Sequence, residues 1–478
     1  MHRKTKIIAT LGPATNDADA IRRLIESGMN VARFNFSHST YEDHERRLGL
    51  VRDIAAELDV AVAAMQDIQG PKIRVGEFPG GSVTLVEGAS VELHPGEGDG
   101  NERHIYVAYL DDVEVQPGGK ILLCDGLITL RVDDATSDRV KATVLEGGIV
   151  YDHKGAAFPG ADSTIPVVTE KDREDLEFGN SLGFDFVAAS FVNSSRDVAL
   201  VEQQCNGRPV IAKIETATGY LNLAEILENA EGAMVARGDL GVELSIESVP
   251  RAQADIVRQT NAAGKISITA TEMLESMIHS PRPTRAEVTD VYQSVVDGTD
   301  CVMLSAETAV GEFPARSVQV MAQICVEAEK SEKWVRDSAV SNLSSGARFA
   351  SATAEASVDT ADRLNLSTIV AFTESGSTAR LLSKYRPHAD ILAFTPLVET
   401  YRRMAAYGGV RPMMLDRVHS TDEMIASAER RMLEDGLVEH GEGVVMVAGV
   451  PPNEKSSTNL MKLHQIGSGD VLSPVARI

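Results

Sequence analysis

The sequence predicts an α/β protein: a (β/α)8 TIM barrel with an inserted small β-barrel domain and a C-terminal open α/β domain. Three observations lead there. Eight short, β-branched apolar runs alternate with amphipathic stretches, the pattern of parallel βα units. After the third run comes a Gly- and Pro-rich segment of different character. Beyond about Lys330 a second strand–helix alternation begins.

In order, the eight runs are KIIATLG from Lys6, NVARFNFSH from Asn30, VAAMQDIQG from Val62, FDFVAASFV from Phe184, PVIAKIE from Pro209, GAMVARGDLG from Gly232, ISITATEM from Ile266 and DCVMLSAET from Asp300. Helical stretches such as DADAIRRLIESG and PRAQADIVRQTNAAG separate them, and several end at Gly, a normal helix stop. The segment 71–157 carries dense turns and alternating strings such as GKILLCDGLITLRV, the mark of a small β-barrel in a loop. Taking its 87 residues from the first 330 leaves 243, close to the roughly 250 of a (β/α)8 barrel. The expected domains are thus 1–70 with 158–330 for the barrel, 71–157 for the insert and 331–478 for the appended domain. In the last, LSTIVAFT, ADILAFT, VRPMML and EGVVMVAG supply strands.

At 478 residues and 43% hydrophobic, the chain has material for several cores. With 70 acidic against 46 basic residues its net charge is −24, which excludes nucleic acid or an anionic membrane as the main partner. Phosphate substrates would then need local clusters of Arg and Lys. Cys124, Cys205, Cys301 and Cys325 lack CxxC spacing and read as buried free thiols. The opening MHRKTKIIATLG lacks a long apolar core and a cleavage site. No run reaches the roughly 18 apolar residues of a membrane span, so the expected address is cytoplasmic.

Active sites of such barrels form at the carboxyl ends of the strands, and here nearly every end is polar. Arg33, Asn35, Ser37 and His38 close the second, Asp67 the third, Ser190 the fourth, Lys213 and Glu215 the fifth, Arg237 and Asp239 the sixth, Thr271 the seventh, and Ser305 and Glu307 the eighth. Lys213 and Glu215 alternate with Ile214 and share one face. With Asp239 on the next strand, Glu215 forms a carboxylate pair suited to Mg2+ or Mn2+; a buried Lys213–Glu215 ion pair is the other reading of that spacing. ARGDLGVE, from Ala236, puts small backbone residues at a helix start, where an anion docks or the chain simply turns. Arg33, Asn35, Ser37, His38 and Arg74 make a polar group able to hold phosphate oxygens.

The strings ATLGPAT, ARFNFSH, QDIQGPKIR, IAKIE, VARGDLGVE, TEMLESMIHSPRPTRAE and MLSAET resemble, in order and spacing, the pyruvate kinase family over nearly the whole chain. The resemblance implies transfer of a phosphoryl group from phosphoenolpyruvate to ADP, in a homotetramer. It implies that Glu215 and Asp239 hold the divalent metal and that Lys213 and Arg33 stabilise the moving phosphoryl group. Thr271 would lie near the carbon that is protonated, and Lys213, Gly238, Asp239, Thr271 and Ser190 would contact substrate. Arg33, Asn35, His38 and Arg74 would meet nucleotide phosphates, and the insert would close as a lid.

Many pyruvate kinases need K+, and those members carry Glu where this chain has Lys72 and tend to have Thr where it has Ile68. The monovalent-cation positions are Asn35, Ser37, Asp67 and Ile68; the Lys72 ammonium would supply the missing charge, making K+ unnecessary. TESGSTAR, from Thr373, opens a helix, and the resemblance places a phosphorylated effector there, on Ser375, Gly376, Ser377 and Thr378, with SSTN and its Ser457 nearby. An ordinary helix start is the alternative. Glu272, Tyr292, Gln293 and Ala306 depart from the family pattern, which usually has Gln, a small residue with Asn, and Gly there. A metabolite-binding regulator and a metal-dependent lyase acting on the same acids remain rival readings.

Overall fold

The structure is a computed structural model and describes residues 3–136, 138–331, 345–450 and 457–468. Eight parallel strands close a barrel: β1 (Lys6–Thr10), β2 (Val31–Asn35), β3 (Ala63–Asp67), β4 (Phe186–Ala189), β5 (Val210–Ile214), β6 (Gly232–Ala236), β7 (Ile266–Ala270) and β8 (Cys301–Leu304). Each pairs with its neighbours in sequence, and β8 returns to β1. All eight expected runs therefore form the barrel. Ile8, Met65, Phe186, Ile211, Ile268 and Met303 fill its interior as buried apolar layers.

Local chemistry sets the helices between the strands. Asp17 caps Ala18–Ser27 by accepting from the Ala20 N–H, and Gly28 ends that helix at a φ of 117°, a region open to glycine. Thr169 and Asp172 form a capping box that starts Glu170–Leu182. Among the described residues no helix is long and apolar enough to cross a membrane. All four cysteines are free and buried.

The insert is a six-stranded sheet with two short ribbons. The sheet runs 156–157, 120–123, 128–136, 139–146, 90–95, 104–107. The ribbons pair Ser82–Leu85 with Gly148–Tyr151, and Val113–Glu114 with Asp162–Ser163. Val91, Leu93, Ile105, Leu130 and Val144 give the insert its own core.

The C-terminal sheet runs in the order Val410–Met414, Asp390–Thr395, Thr368–Phe372, Gly443–Ala448, Leu460–Gln465. Four strands are the expected ones; the fifth is antiparallel and extends the edge. This domain packs on the amino-terminal end of the barrel, opposite the carboxyl ends of its strands. Lys6 Nζ donates to the Val410 carbonyl at 2.6 Å, the Lys4 carbonyl accepts from the Gly409 N–H at 2.8 Å, and buried Lys384 pairs with buried Asp300.

Candidate active site

At the carboxyl ends of β2 to β6 the structure assembles one network of buried charge, centred on Asp67, which is 1% exposed. Its Oδ2 accepts from Arg33 Nε at 2.6 Å and its Oδ1 from Lys213 Nζ at 3.3 Å. Arg33 Nη1 also donates to Thr10 Oγ1 at 2.9 Å. Lys213 Nζ donates to Ser190 Oγ at 2.6 Å and stands 3.0 Å from Glu215 Oε1. Ser190 in turn donates to the Ile68 carbonyl at 2.8 Å. Two cations and two carboxylates thus fix one another across neighbouring strand ends.

Electrostatics follow from that packing. Burial pushes the Asp67 carboxyl up, but Arg33 and Lys213 together outweigh it and hold the group below the usual carboxylate range. For Lys213 burial works against the charge, and Asp67 and Glu215 overcome it, raising the ammonium well above its ordinary value. Glu215 moves opposite to Asp67: burial raises it, Lys213 offsets part of that, and Asp239 raises it further. Its Oε2 accepts from the Phe191 N–H at 2.7 Å.

Asp239 lies in the first turn of the helix Arg237–Glu243, and its Oδ1 is 2.8 Å from Lys72 Nζ. With Glu215 it faces a cavity of about 380 Å³ between the insert and the barrel, which Lys72, Phe191 and Glu243 also line. A buried carboxylate held up by a carboxylate neighbour is relieved by a divalent cation, and both offer hard oxygens, so these residues fit Mg2+ or Mn2+. The Lys213–Glu215 ion pair of the alternative reading is present, and Glu215 also shares the cavity with Asp239.

Thr271 and Glu272 adopt φ values of +67° and +53°, costly for a β-branched residue. Arg237 braces them. Its Nη2 donates to the carbonyls of Thr271 at 2.6 Å and Glu272 at 3.2 Å, while its Nη1 binds the Asp290 carboxylate at 2.7 Å. Thr271 Oγ1 accepts from the Gly238 N–H at 2.9 Å and donates to the Ala270 carbonyl at 2.6 Å. The Gly238 amide, expected to meet substrate, therefore holds the Thr271 hydroxyl here.

The remaining predicted residues are more dispersed. Asn35 Oδ1 accepts from the Ser37 N–H at 3.2 Å, and His38 is exposed on the following loop. Arg74 Nη1 donates to the His153 carbonyl at 2.9 Å, within the insert. Among the described residues no hydrogen bond joins Arg74 to Asn35, Ser37 or His38. Ile68 is buried, and the Lys72 ammonium points to Asp239.

In the C-terminal domain, Gly376 at a φ of 86° caps the helix Ser377–Lys384. Ser375 Oγ bonds Ser377 Oγ at 3.0 Å, and Thr378 Oγ1 lies 2.7 Å from Thr458 Oγ1. Ser457 is exposed; Ser456 lies outside the described residues. A cavity of about 440 Å³ opens beside this loop. Sequence reasoning missed Arg403 and Arg417, which line it, Arg403 with a buried Nε lacking a hydrogen-bond partner. It also missed the bracing role of Arg237 and the cavity carboxylate Glu243, whose pKa burial raises. Arg237 and Glu243 stand within the ARGDLGVE string; the arginines carried no motif.

Fold and mouth together define a (β/α)8 barrel that gathers carboxylates and buried cations at the carboxyl ends of its strands, where enzymes of this fold place their active sites. Residues 2–318 match the family model described as pyruvate kinase, barrel domain, and residues 351–464 the one described as pyruvate kinase, alpha/beta domain. Pyruvate kinases from Staphylococcus aureus strains USA300 and NCTC 8325 are each 43% identical over 472 residues, covering 97% of this chain and 81% of theirs. The crystal structure of a pyruvate kinase from Cryptosporidium parvum has a TM-score of 0.88 at 36% identity, covering 97% of this chain and 96% of that one. The chain belongs to the pyruvate kinase family. It is therefore an enzyme, a phosphotransferase, of a family that works with Mg2+.

Proposed function

We propose that the chain moves the phosphoryl group of phosphoenolpyruvate to ADP in glycolysis, with Lys213 and Arg33 as the cations that stabilise it in flight. The observation that carries this is the placement of Lys213 Nζ between Asp67, Ser190 and Glu215. Held well above its ordinary pKa, Lys213 stays an ammonium at any working pH. Its charge meets the phosphoryl oxygens as the bond to the enol oxygen breaks and the bond to the ADP oxygen forms. Arg33, fixed by Asp67 and Thr10, presents a planar donor group beside it. Glu215 and Asp239 hold Mg2+ or Mn2+, which when bound neutralises phosphate charge. Thr271 serves the protonation that turns enolate into pyruvate, and Ser190, Gly238 and Asp239 position substrate. Asn35, His38 and Arg74 receive the nucleotide phosphates as the insert closes.

Several finer points belong to the same proposal. Lys72 replaces a K+ requirement; its ion pair with Asp239 supports that reading. A phosphorylated activator binds at Ser375, Gly376, Ser377, Thr378 and Ser457, beside a cavity that Arg403 and Arg417 line together with Glu374, Glu399 and Asp416. The enzyme works in the cytoplasm as a homotetramer, with domain limits near residues 70, 157 and 330. Sedimentation of the intact chain reads the tetramer directly.

Pyruvate release from phosphoenolpyruvate, followed with and without ADP in Mg2+ buffer, tests the main reading. Pyruvate forms only with ADP. Release without ADP favours a lyase or phosphatase, and no release in either favours a binding regulator.

A further inference from the structure

On the outer face of the insert, far in chemistry from the mouth, two imidazoles and a carboxylate converge. Ser90–Pro95 pairs in parallel with His104–Val107, with Glu92 opposite His104. His94, two residues after Glu92, shares its face, because side chains alternate along a strand. Leu93 and Ile105 point the other way, into the core of the insert. The backbone register alone therefore gathers Glu92, His94 and His104.

Side-chain distances complete the picture. His94 Nε2 lies 3.1 Å from His104 Nδ1, and Glu92 Oε2 lies 3.8 Å from His104 Nδ1 and 3.9 Å from His94 Nε2. Around a tetrahedral Zn2+ with bonds of about 2.0–2.1 Å, ligand atoms stand about 3.3 Å apart. One edge, at 3.1 Å, is already close to that length; a shift of the half-buried Glu92 carboxylate by under an ångström brings the other two to it. Imidazole nitrogen selects zinc, nickel or copper over magnesium, so the donor set differs in kind from the all-oxygen pair Glu215 and Asp239. The other Glu92 oxygen accepts from Arg139 Nη1 at 3.1 Å, which orients the carboxylate and leaves Oε2 for a metal. Arg139, and Lys141 opposite Glu92 on the neighbouring strand, also oppose a cation electrostatically.

We propose that Glu92, His94 and His104 form a transition-metal site, taking Zn2+ with an open coordination position for water. Binding needs both facing nitrogens as lone-pair donors, so the proton now between them moves to the far nitrogen of its ring. Because His104–Val107 is the last strand of its sheet, the ion pins an edge strand to its neighbour.

The test uses the full-length chain, stripped by chelator and then saturated with Mg2+ to fill the mouth. Titration calorimetry with Zn2+ should show one site more in the unmodified protein than in His94→Ala or His104→Ala, and binding at least about tenfold weaker in Glu92→Gln. Co2+ should give the intense visible bands of a four-coordinate ion in the unmodified protein alone. Zn2+ should raise the melting temperature of the insert only when the three residues are intact, while metal-free melting and Mg2+-supported turnover match among all forms. Equal Zn2+ stoichiometry and affinity in the unmodified protein and both histidine variants overturns the proposal, as does a cobalt spectrum that survives them.

Discussion

Lys72 and Asp239, 167 residues apart in sequence, meet at the junction of insert and barrel with Nζ 2.8 Å from Oδ1. One is the first cation after β3, the other a carboxylate assigned to the divalent ion. A fixed ammonium at that place supplies locally the positive charge that a monovalent ion would bring. Full turnover is expected in buffer whose sole monovalent cation is tetramethylammonium, and Lys72→Glu should create a K+ requirement. Several-fold stimulation of the unmodified enzyme by K+, at constant ionic strength and saturating substrates, would sink the idea.

Asp67 links the site to stability. Its folded-state pKa lies below its unfolded value, so its ionised form stabilises the protein above the ordinary carboxylate range. That contribution is lost as pH falls through the depressed folded value. Asp67→Asn, which leaves Arg33 and Lys213 short of a buried partner, should cost about 3–5 kcal/mol near neutrality. Urea unfolding should show the gap to the unmodified protein narrowing below about pH 4. A gap that widens on acidification reverses the sign and refutes the argument.

Arg237 is expected to act by position, not by contact with substrate. Arg237→Lys cannot reproduce the fork that spans the Thr271 and Glu272 carbonyls and the Asp290 carboxylate. Turnover should fall while KM for ADP holds, and the protein should lose about 1–3 kcal/mol, the cost of unsatisfied buried groups. Unchanged turnover in a normally folded variant would show that Thr271 needs no such brace.

The effector loop makes a simpler demand. Adding a carboxylate at Ser377, exposed beside Ser375, should abolish activation by sugar phosphates or AMP through like-charge repulsion. Activation that survives Ser377→Asp unchanged removes the phosphate from this loop. Arg403→Ala should give the same loss, because the half-buried Arg403 lines the cavity beside this loop.

Much of this architecture was legible because it rests on local pattern. Runs such as ISITA and TIVAF are β-branched and bounded by turns, so eight barrel strands and four C-terminal strands show in the chain itself. Leu460–Gln465 does not: LMKLHQ lacks β-branched residues and lies half exposed at a sheet edge, so only its pairing with Gly443–Ala448 makes it a strand. In the mouth, strand-end position marked Asp67, Lys213 and Glu215 as candidates. Which oxygen meets which cation was not legible, since the Arg33–Asp67–Lys213 chain depends on the barrel's closure across strands. Arg237 shows the same limit, its partners at Thr271 and Asp290 being set by the tertiary fold alone.

The central claim is that the Lys213 ammonium stabilises the phosphoryl group in transit. Steady-state turnover of Lys213→Ala with phosphoenolpyruvate, ADP and saturating Mg2+ tests it most directly, with Mn2+ binding measured alongside to show that Glu215 and Asp239 still hold a metal. Loss of one such stabiliser costs on the order of 10²–10³ in rate, and the prediction is a fall at least that large with metal binding retained. Retention of more than about a tenth of the unmodified turnover contradicts the account, because no stabilising charge of that rank can be removed so cheaply.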